Sequence, residues 1–289
     1  MARASFPRDD CLMNIEEAIR QTGERLGSIR EGYYLLSALL GLDMAALIAH
    51  PEREIEDQAT FRQWLEERAG GKPLAYLTHC RPFWGRPFWV DERVLVPRPE
   101  TELLVEEALQ RIRTHWKGEC MLADIGTGSG CIAITLALEA PAVRSIATDI
   151  SVEALSVARR NASAHGVATR IDFRLGDLLE ALPESVDLIV ANLPYVPTRI
   201  LQTEPSIAME PRIALDGGEN GEEVLHRLLE QVAALGQKPG CVLLEIDPGQ
   251  IDLFARAGRL FPGARVSMAR DLSGKPRVLC IDGLTPDND

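Results

Sequence analysis

The stretch MLADIGTGSGCIAITLALEA, Met121 to Ala140, decides the fold. MLADI is an apolar run of strand length, CIAITLALEA reads as a helix, and Gly126, Gly128 and Gly130 lie between them. Glycines at such a turn let the backbone bend sharply and approach a ligand, with helix N–H groups aimed at it. The next strand, VRSIATD, ends in Asp149 about twenty residues on, where a carboxylate accepts from ribose hydroxyls. Together they predict a site for an adenosine-containing cofactor.

Outward from this stretch, strands and helices alternate. SVEALSVARRNASAHG is a helix with Ser151 as cap and Gly166 as stop, followed by the strands IDFRL and VDLIVAN. GEEVLHRLLEQVAAL and IDLFARAGRLF are helices around the strand CVLLEI, and ARVSMA with RVLCID forms a closing strand pair. This alternation predicts an α/β fold, a doubly wound, mainly parallel, Rossmann-like sheet. Before it, FWGRPFWVDERVLVP reads as a hairpin turning at Gly85.

Residues from about 12 to 70 read as helices only. Leu12, Ile15, Ile19 and Leu26 recur at helical spacing, as do Tyr34, Leu35, Ala38 and Leu39. Asp43 can cap MAALIAH, and Phe61, Trp64, Leu65 and Arg68 form a further amphipathic stretch ended by Gly70 and Gly71. The expected organisation is a helical domain over 1–75, a hairpin linker over 76–97 and an α/β domain over 98–289. The acidic end, DGLTPDND, reads as frayed.

The net charge is −12, with 9 basic and 13 acidic residues up to position 75 and 22 and 30 after it. Neither part is a basic module, which argues against direct nucleic-acid binding. No apolar run is long enough for a membrane span, and the first residues lack a signal-peptide core, so a cytoplasmic protein is expected; separately, a monomer is expected. The cysteines at 11, 80, 120, 131, 241 and 280 have no CxxC spacing and no neighbouring histidine at ligand spacing. They read as buried, reduced thiols, and no metal is expected.

The glycine spacing is GxGxG rather than GxGxxG, and Asp124 stands just ahead of it. A carboxylate there repels a pyrophosphate but suits a cofactor carrying an ammonium and a sulfonium. S-adenosyl-L-methionine fits, held by Asp124, the loop Gly126, Thr127, Gly128, Ser129 and Gly130, and Asp149. Asp177, in GDLL after another strand, can reach the adenine side.

A second stretch, VDLIVANLPYVPT, ends an apolar strand in Asn192, Leu193, Pro194 and Tyr195. Pro194 and Pro197 cannot continue a central strand, so the strand stops near Asn192, at the sheet end where ligands bind. An amide or exocyclic amine is a poor nucleophile, because its lone pair is delocalised. Two acceptors aimed at its N–H bonds would orient that lone pair and favour charge developing on nitrogen. Asn192 offers its side-chain carbonyl and Leu193 its backbone carbonyl. Pro194 stiffens the turn, and Tyr195 is expected to lay its ring against the planar group.

With these motifs in place, the sequence resembles the HemK/PrmC family of glutamine-N5 methyltransferases over nearly its whole length. The resemblance runs through RPFWGRPFWV, VLVPRPETELLVEEAL, DIGTGSG, NLPYV, MEPRIALDGGENG and LLEI, with PRPETE the most family-specific motif. It implies S-adenosylmethionine-dependent methylation of the glutamine in the Gly-Gly-Gln motif of peptide chain release factors, in translation termination. It also implies that Gly126 to Gly130, Asp149, Asn192 and the backbone at Leu178 line the cofactor, and that Asn192 to Tyr195 hold the glutamine. Arg98, Glu100 and Thr101 would lie near the site, with Glu210 and Arg212 buttressing the mouth or forming a structural ion pair. The sequence departs from the family at Leu193, where proline is usual, and at Leu178, where an aromatic is frequent. A backbone carbonyl survives the first change, and the second predicts weaker cofactor affinity.

Two other readings compete. Asn-Leu-Pro-Tyr also resembles the motif of ribosomal RNA adenine dimethylases, so a nucleic-acid adenine N6-methyltransferase is the main alternative. The acidic balance and the lack of a basic, aromatic-laced stretch weigh against it. A non-catalytic cofactor- or partner-binding module is the second alternative, opposed by the intact Asn192 to Tyr195 run. A dehydrogenase is disfavoured by the loop.

Overall fold

The computed structural model describes residues 13–116, 118–182, 185–204 and 207–284. Leu12, Cys11 and the last five residues of the acidic end lie outside them. The chain divides into two compact units between Thr78 and His79.

The first unit is helical: α1 (Ile15–Leu26), α2 (Ile29–Leu40), α3 (Met44–Ala49), α4 (Gln58–Ala69) and α5 (Leu74–Leu77). Short polar side chains start three of these helices. Asn14 accepts from the Glu17 N–H at 2.9 Å, Asp43 from Ala46 at 2.8 Å and Asp57 from Thr60 at 3.0 Å. Each such cap contributes about 1 kcal/mol. Ile15, Ala18 and Ile19 of α1 share one core with Leu35 and Leu36 of α2, Leu47, Phe61 and Leu65. The buried stripe of α2 therefore differs from the expected one. Leu36 is inside and Ala38 is exposed, because Gly32, Leu35 and Leu36 form the face turned to the other helices.

The second unit opens with the hairpin of β1 (Arg81–Phe83) and β2 (Arg86–Phe88), whose turn residues Trp84 and Gly85 both have positive φ, +52° and +69°. That is the turn whose twist suits a two-residue hairpin. Tryptophan is unusual in that conformation; here its backbone N–H donates to Glu102 Oε1 at 2.7 Å. The elements that follow are α6 (Thr101–His115), β3 (Cys120–Ile125), α7 (Cys131–Glu139), β4 (Val143–Asp149), α8 (Val152–Ala164), β5 (Ile171–Leu175) and β6 (Leu188–Ala191). Then come α9 (Thr198–Leu201), α10 (Glu223–Ala234), β7 (Cys241–Glu245), α11 (Asp252–Leu260), β8 (Arg265–Arg270) and β9 (Pro276–Asp282).

Seven strands form one sheet in the order β5-β4-β3-β6-β7-β9-β8. The first five are parallel, and β9 inserts antiparallel between β7 and β8. Helices cover both faces. Leu122 and Val190 face a core with α6 and α7, while Ile125 and Ile189 face one with α10 and α11. Burial on both sides is why these strands read as continuous apolar runs rather than alternating ones. The chain moves outward from β3 through β4 to β5, then returns to β6 on the other side of β3. The crevice at the carboxyl ends of β3 and β6 is thus the topological switch point, where open sheets bind ligands.

Of the described cysteines, Cys120, Cys131, Cys241 and Cys280 are buried. Burial pushes the Cys120 and Cys131 thiols up to about 12. Cys80 departs from the expected burial: it is exposed, because it lies in the turn before β1. Among the described residues, no helix is long and apolar enough to cross a membrane.

Candidate active site

A cavity of about 690 Å³ opens at that switch point. Its wall is built from the loops after β3, β4, β5 and β6, with the segment before α6 and the 212–218 loop on the far side. Gly126, Thr127, Gly128, Ser129, Asp149, Asp177, Leu178, Asn192, Leu193 and Pro194 all line it, as do Arg98, Thr101 and Arg212. The structure thus brings together most of the residues that the sequence singles out.

The glycine loop is closed by its own hydrogen bonds. The N–H groups of Gly126 and Thr127 both donate to the Thr148 carbonyl at 2.9 Å, and that of Gly128 donates to Asp149 Oδ2 at 2.9 Å. These donors are not turned outward to a ligand, as the sequence reading expects, and so do not form a pyrophosphate cradle. Asp149 Oδ1 accepts from the Ser151 N–H at 2.9 Å, and burial raises this carboxyl above its ordinary range. A carboxylate fixed by two backbone donors keeps lone pairs for a ribose diol. Ile150, exposed beside it on the cavity wall, is an apolar surface that the sequence reading did not single out. An apolar residue after the acidic one was the signal there. Leu178 has a φ of +52°, its carbonyl accepts from Thr148 Oγ1 at 3.3 Å, and its side chain is buried. Asp177 pairs with Arg227, another wall residue.

Three predicted site residues lie off the cavity wall: Gly130, just ahead of α7, Asp124 and Tyr195. Asp124 is fully buried beneath the loop and off the cavity wall. Its Oδ2 accepts from Thr127 Oγ1 at 2.7 Å and from the Ala133 N–H at 3.2 Å, and its Oδ1 has no partner. Burial pushes this carboxyl up to about 7, and the charge of Asp149 adds to the effect. Tyr195 is likewise off the wall. Its ring packs against the α10–α11 core and its hydroxyl donates to Glu245 Oε1 at 3.1 Å, so it does not offer a face to the cavity. With Pro194 on the wall, the extended backbone turns the next side chain inward.

Asn192 Nδ2 donates to Thr101 Oγ1 at 3.0 Å, which leaves the side-chain carbonyl as the acceptor on the cavity side. The segment after it is held by the 215–221 loop. The Val196 N–H donates to the Leu215 carbonyl at 2.9 Å, and the Val196 carbonyl accepts from the Gly217 N–H at 3.0 Å. A Cβ at Gly217 would lie 2.7 Å from Tyr195 Cα and 2.8 Å from the Pro194 carbonyl oxygen, so only glycine permits this clamp. Glu210 is a structural partner: it pairs with Arg98 and accepts from the Val96 N–H at 3.1 Å. Arg212 instead pairs with Asp216 at 2.9 Å. Glu100 is exposed at the start of α6.

A buried carboxyl beneath a closed glycine loop, a fixed acceptor pair for a diol and an amide carbonyl at the next strand end fit a cationic adenosine cofactor. With the sheet order, they define a class, the Rossmann-like methyltransferases. Residues 100–210 match the family described as "Methyltransferase small domain", and residues 14–78 match "PrmC N-terminal domain". The catalytic domain of hMettl16, solved in complex with a MAT2A 3'UTR hairpin, superposes with a TM-score of 0.58 at 14% identity, over 71% of this chain and 77% of that one. Ribosomal protein L11 methylase from Lactobacillus delbrueckii subsp. bulgaricus gives 0.50 at 23%, over 70% and 89%. These likenesses speak for the fold.

The relatives in sequence are more specific. The release factor glutamine methyltransferase of Cereibacter sphaeroides is 37% identical over 277 residues, 92% of this chain and 98% of that protein. That of Bacillus cereus is 36% identical over 86% and 90%, and that of Chlorobaculum tepidum 41% over 73% and 76%. The chain belongs to the release factor glutamine methyltransferase family.

Proposed function

We propose that this protein transfers the methyl group of S-adenosyl-L-methionine to the side-chain amide nitrogen of the glutamine in the Gly-Gly-Gln motif of a peptide chain release factor. The observation that carries the reading is Asn192, whose amide N–H₂ is committed to Thr101, so that its carbonyl stands on the wall of the cavity that Asp149 shares. Bound, the cofactor supplies an electrophilic methyl group. Asp149 would hold its ribose, the backbone at Leu178 and Asp177 its adenine side, and the loop from Gly126 to Gly130 its amino-acid end.

Asn192 Oδ1 and the Leu193 carbonyl would each accept one N–H of the substrate amide. Two acceptors in one plane fix the amide and raise electron density on nitrogen as positive charge develops. A nitrogen made cationic by methylation is acidic, so its proton can leave without a dedicated base. Tyr195 is bonded to Glu245 behind the wall and would not stack on the substrate. The helical unit up to Thr78 would grip the protein substrate, and the catalytic unit, 98–289, follows the hairpin linker in the sequence. The protein would act as a monomer in the cytoplasm, without direct nucleic-acid contact.

Peptide mapping of a release factor after incubation with the enzyme and S-adenosylmethionine tests this. One added methyl on the Gly-Gly-Gln glutamine is the expected product. A methyl group confined to any other residue would overturn the reading.

A further inference from the structure

Asn161 lies inside α8 and is 2% exposed, and the motifs above give it no role. Asparagine weakens a helix interior, because its amide competes for backbone groups, so a buried one there needs a reason. Its Oδ1 accepts from the Trp89 backbone N–H at 2.8 Å. Its Nδ2 donates to the Trp89 carbonyl at 3.0 Å and to the Ser129 carbonyl at 2.8 Å. A backbone N–H can only donate and a carbonyl can only accept, so these partners fix which end of the amide points where. One buried side chain thus joins the segment leaving the hairpin to the glycine loop.

Both segments are held firmly at this point. The Ser129 carbonyl is taken by Asn161, and the Gly130 N–H of the same peptide donates to the Thr127 carbonyl at 2.8 Å. A Cβ at Gly130 would lie 3.2 Å from Ala158 Cβ, so α8 backs the end of the loop while Ser129 stays on the cavity wall. On the other arm, Arg160 Cζ sits 3.3 Å from the centroid of the Trp89 ring. The His79 ring stacks on the same indole, with centroids 4.3 Å apart and planes 10° from parallel. Consecutive residues of α8, Arg160 and Asn161, therefore hold the Trp89 side chain and its backbone.

Building on the proposed function, in which the loop holds the amino-acid end of S-adenosylmethionine, we propose that Asn161 is a positioning residue that clips the cofactor loop to Trp89, so that the two open and close as one unit. Cofactor bound to the closed loop then also holds Trp89 in place. A ligand lost on opening suppresses that opening by a factor of one plus its concentration over its Kd.

The test uses the full-length protein, the variants Asn161→Asp and Asn161→Ala, and Leu155→Ala as a control for damage to α8. Asn161→Asp keeps the shape and the acceptor for Trp89 but loses both donors, and Asn161→Ala loses every bond. Leu155 is 1% exposed on the same helix, and its side chain has no hydrogen-bonding group. Calorimetry gives the Kd for S-adenosylmethionine. Hydrogen exchange of the backbone amides of Trp89 and of Leu243, inside β7, is followed without cofactor and with it at about 100 times each protein's own Kd. In wild type, cofactor should slow exchange at both amides by about 100-fold. In both Asn161 variants Leu243 should still respond, and Trp89 should slow by less than about threefold. Their Kd should weaken by about fivefold, the scale of one net hydrogen bond. Leu155→Ala should lower Tm, keep Kd within about twofold and keep the full Trp89 response.

A Kd unchanged in both Asn161 variants would overturn the proposal, as would a Trp89 response in them as large as in wild type. Equal weakening in Leu155→Ala would also overturn it, by making α8 a mere support. Wild type that binds no S-adenosylmethionine would overturn both this proposal and the proposed function. Wild type that binds it but leaves a release factor unmethylated would refute the proposed function alone, while Kd and exchange still decide the clip.

Discussion

The carboxylate of Asp149, at the end of β4, accepts a hydrogen bond at 2.9 Å from the N–H of Gly128, in the loop after β3. One side chain therefore shapes the glycine loop and, in the proposed function, presents the acceptor for the cofactor ribose. Asp149→Ala removes the acceptor of the half-buried Gly128 and Ser151 N–H groups, at a cost of about 1 kcal/mol for each such bond. Titration calorimetry should show S-adenosylmethionine bound at least about tenfold more weakly, since a charged hydrogen bond is worth about 1.5–3 kcal/mol. At saturating cofactor, kcat should recover towards wild type. Unchanged affinity would remove Asp149 from the cofactor site.

Gly126 sits where the two motifs touch. Its φ is +74°, and a Cβ there would lie 2.8 Å from Leu193 Cδ2. Alanine at this position costs about 1–2 kcal/mol for the left-handed backbone. The overlap adds about 1–3 kcal/mol and pushes Leu193 towards the cavity. Gly126→Ala should lower the denaturation midpoint and the methylation rate together. Replacing Leu193 by alanine in the same chain should restore part of the rate by removing the overlap.

The buried carboxyl of Asp124 makes a pH-dependent contribution. Burial holds its folded-state value at about 7, above the ordinary value of about 4. Between those values the folded protein keeps a proton that the unfolded chain releases, so the stability from this group is present in acid and lost as pH rises through about 7. Asp124→Asn keeps an acceptor for Thr127 and Ala133 and cannot ionise. The Tm of the variant relative to wild type should therefore rise between about pH 5 and about pH 8. A Tm difference independent of pH would mean that Asp124 titrates as an ordinary carboxyl.

Much of this was legible before the structure. Apolar runs ending in Gly126, Asp149 and Asn192 mark the ends of β3, β4 and β6, because parallel strands buried on both faces must read as such runs. Ser151 and Asp43 were legible as caps, since short oxygens at those positions accept from N–H groups three residues on. What stayed hidden depends on distant pairing. Nothing local to LLEI tells that Glu245 meets Tyr195, which lies 50 residues earlier and one strand over. The DGG run reads as a loop, and only its packing on Pro194 and Tyr195 shows why Gly217 is required. The placement of Asp124 beneath the loop follows from the inward direction of its strand position, which the residue type does not reveal.

The central claim is that the Asn192 carbonyl orients a protein glutamine for methylation. The most direct measurement offers labelled S-adenosylmethionine to wild-type enzyme and to Asn192→Ala, with three acceptors side by side. These are a release factor, its Gln→Ala variant in the Gly-Gly-Gln motif, and ribosomal RNA. The account predicts label on the unaltered factor alone, and a rate lower by about 100-fold or more in Asn192→Ala with cofactor affinity held. Label on RNA, or an Asn192→Ala rate equal to wild type, would contradict it.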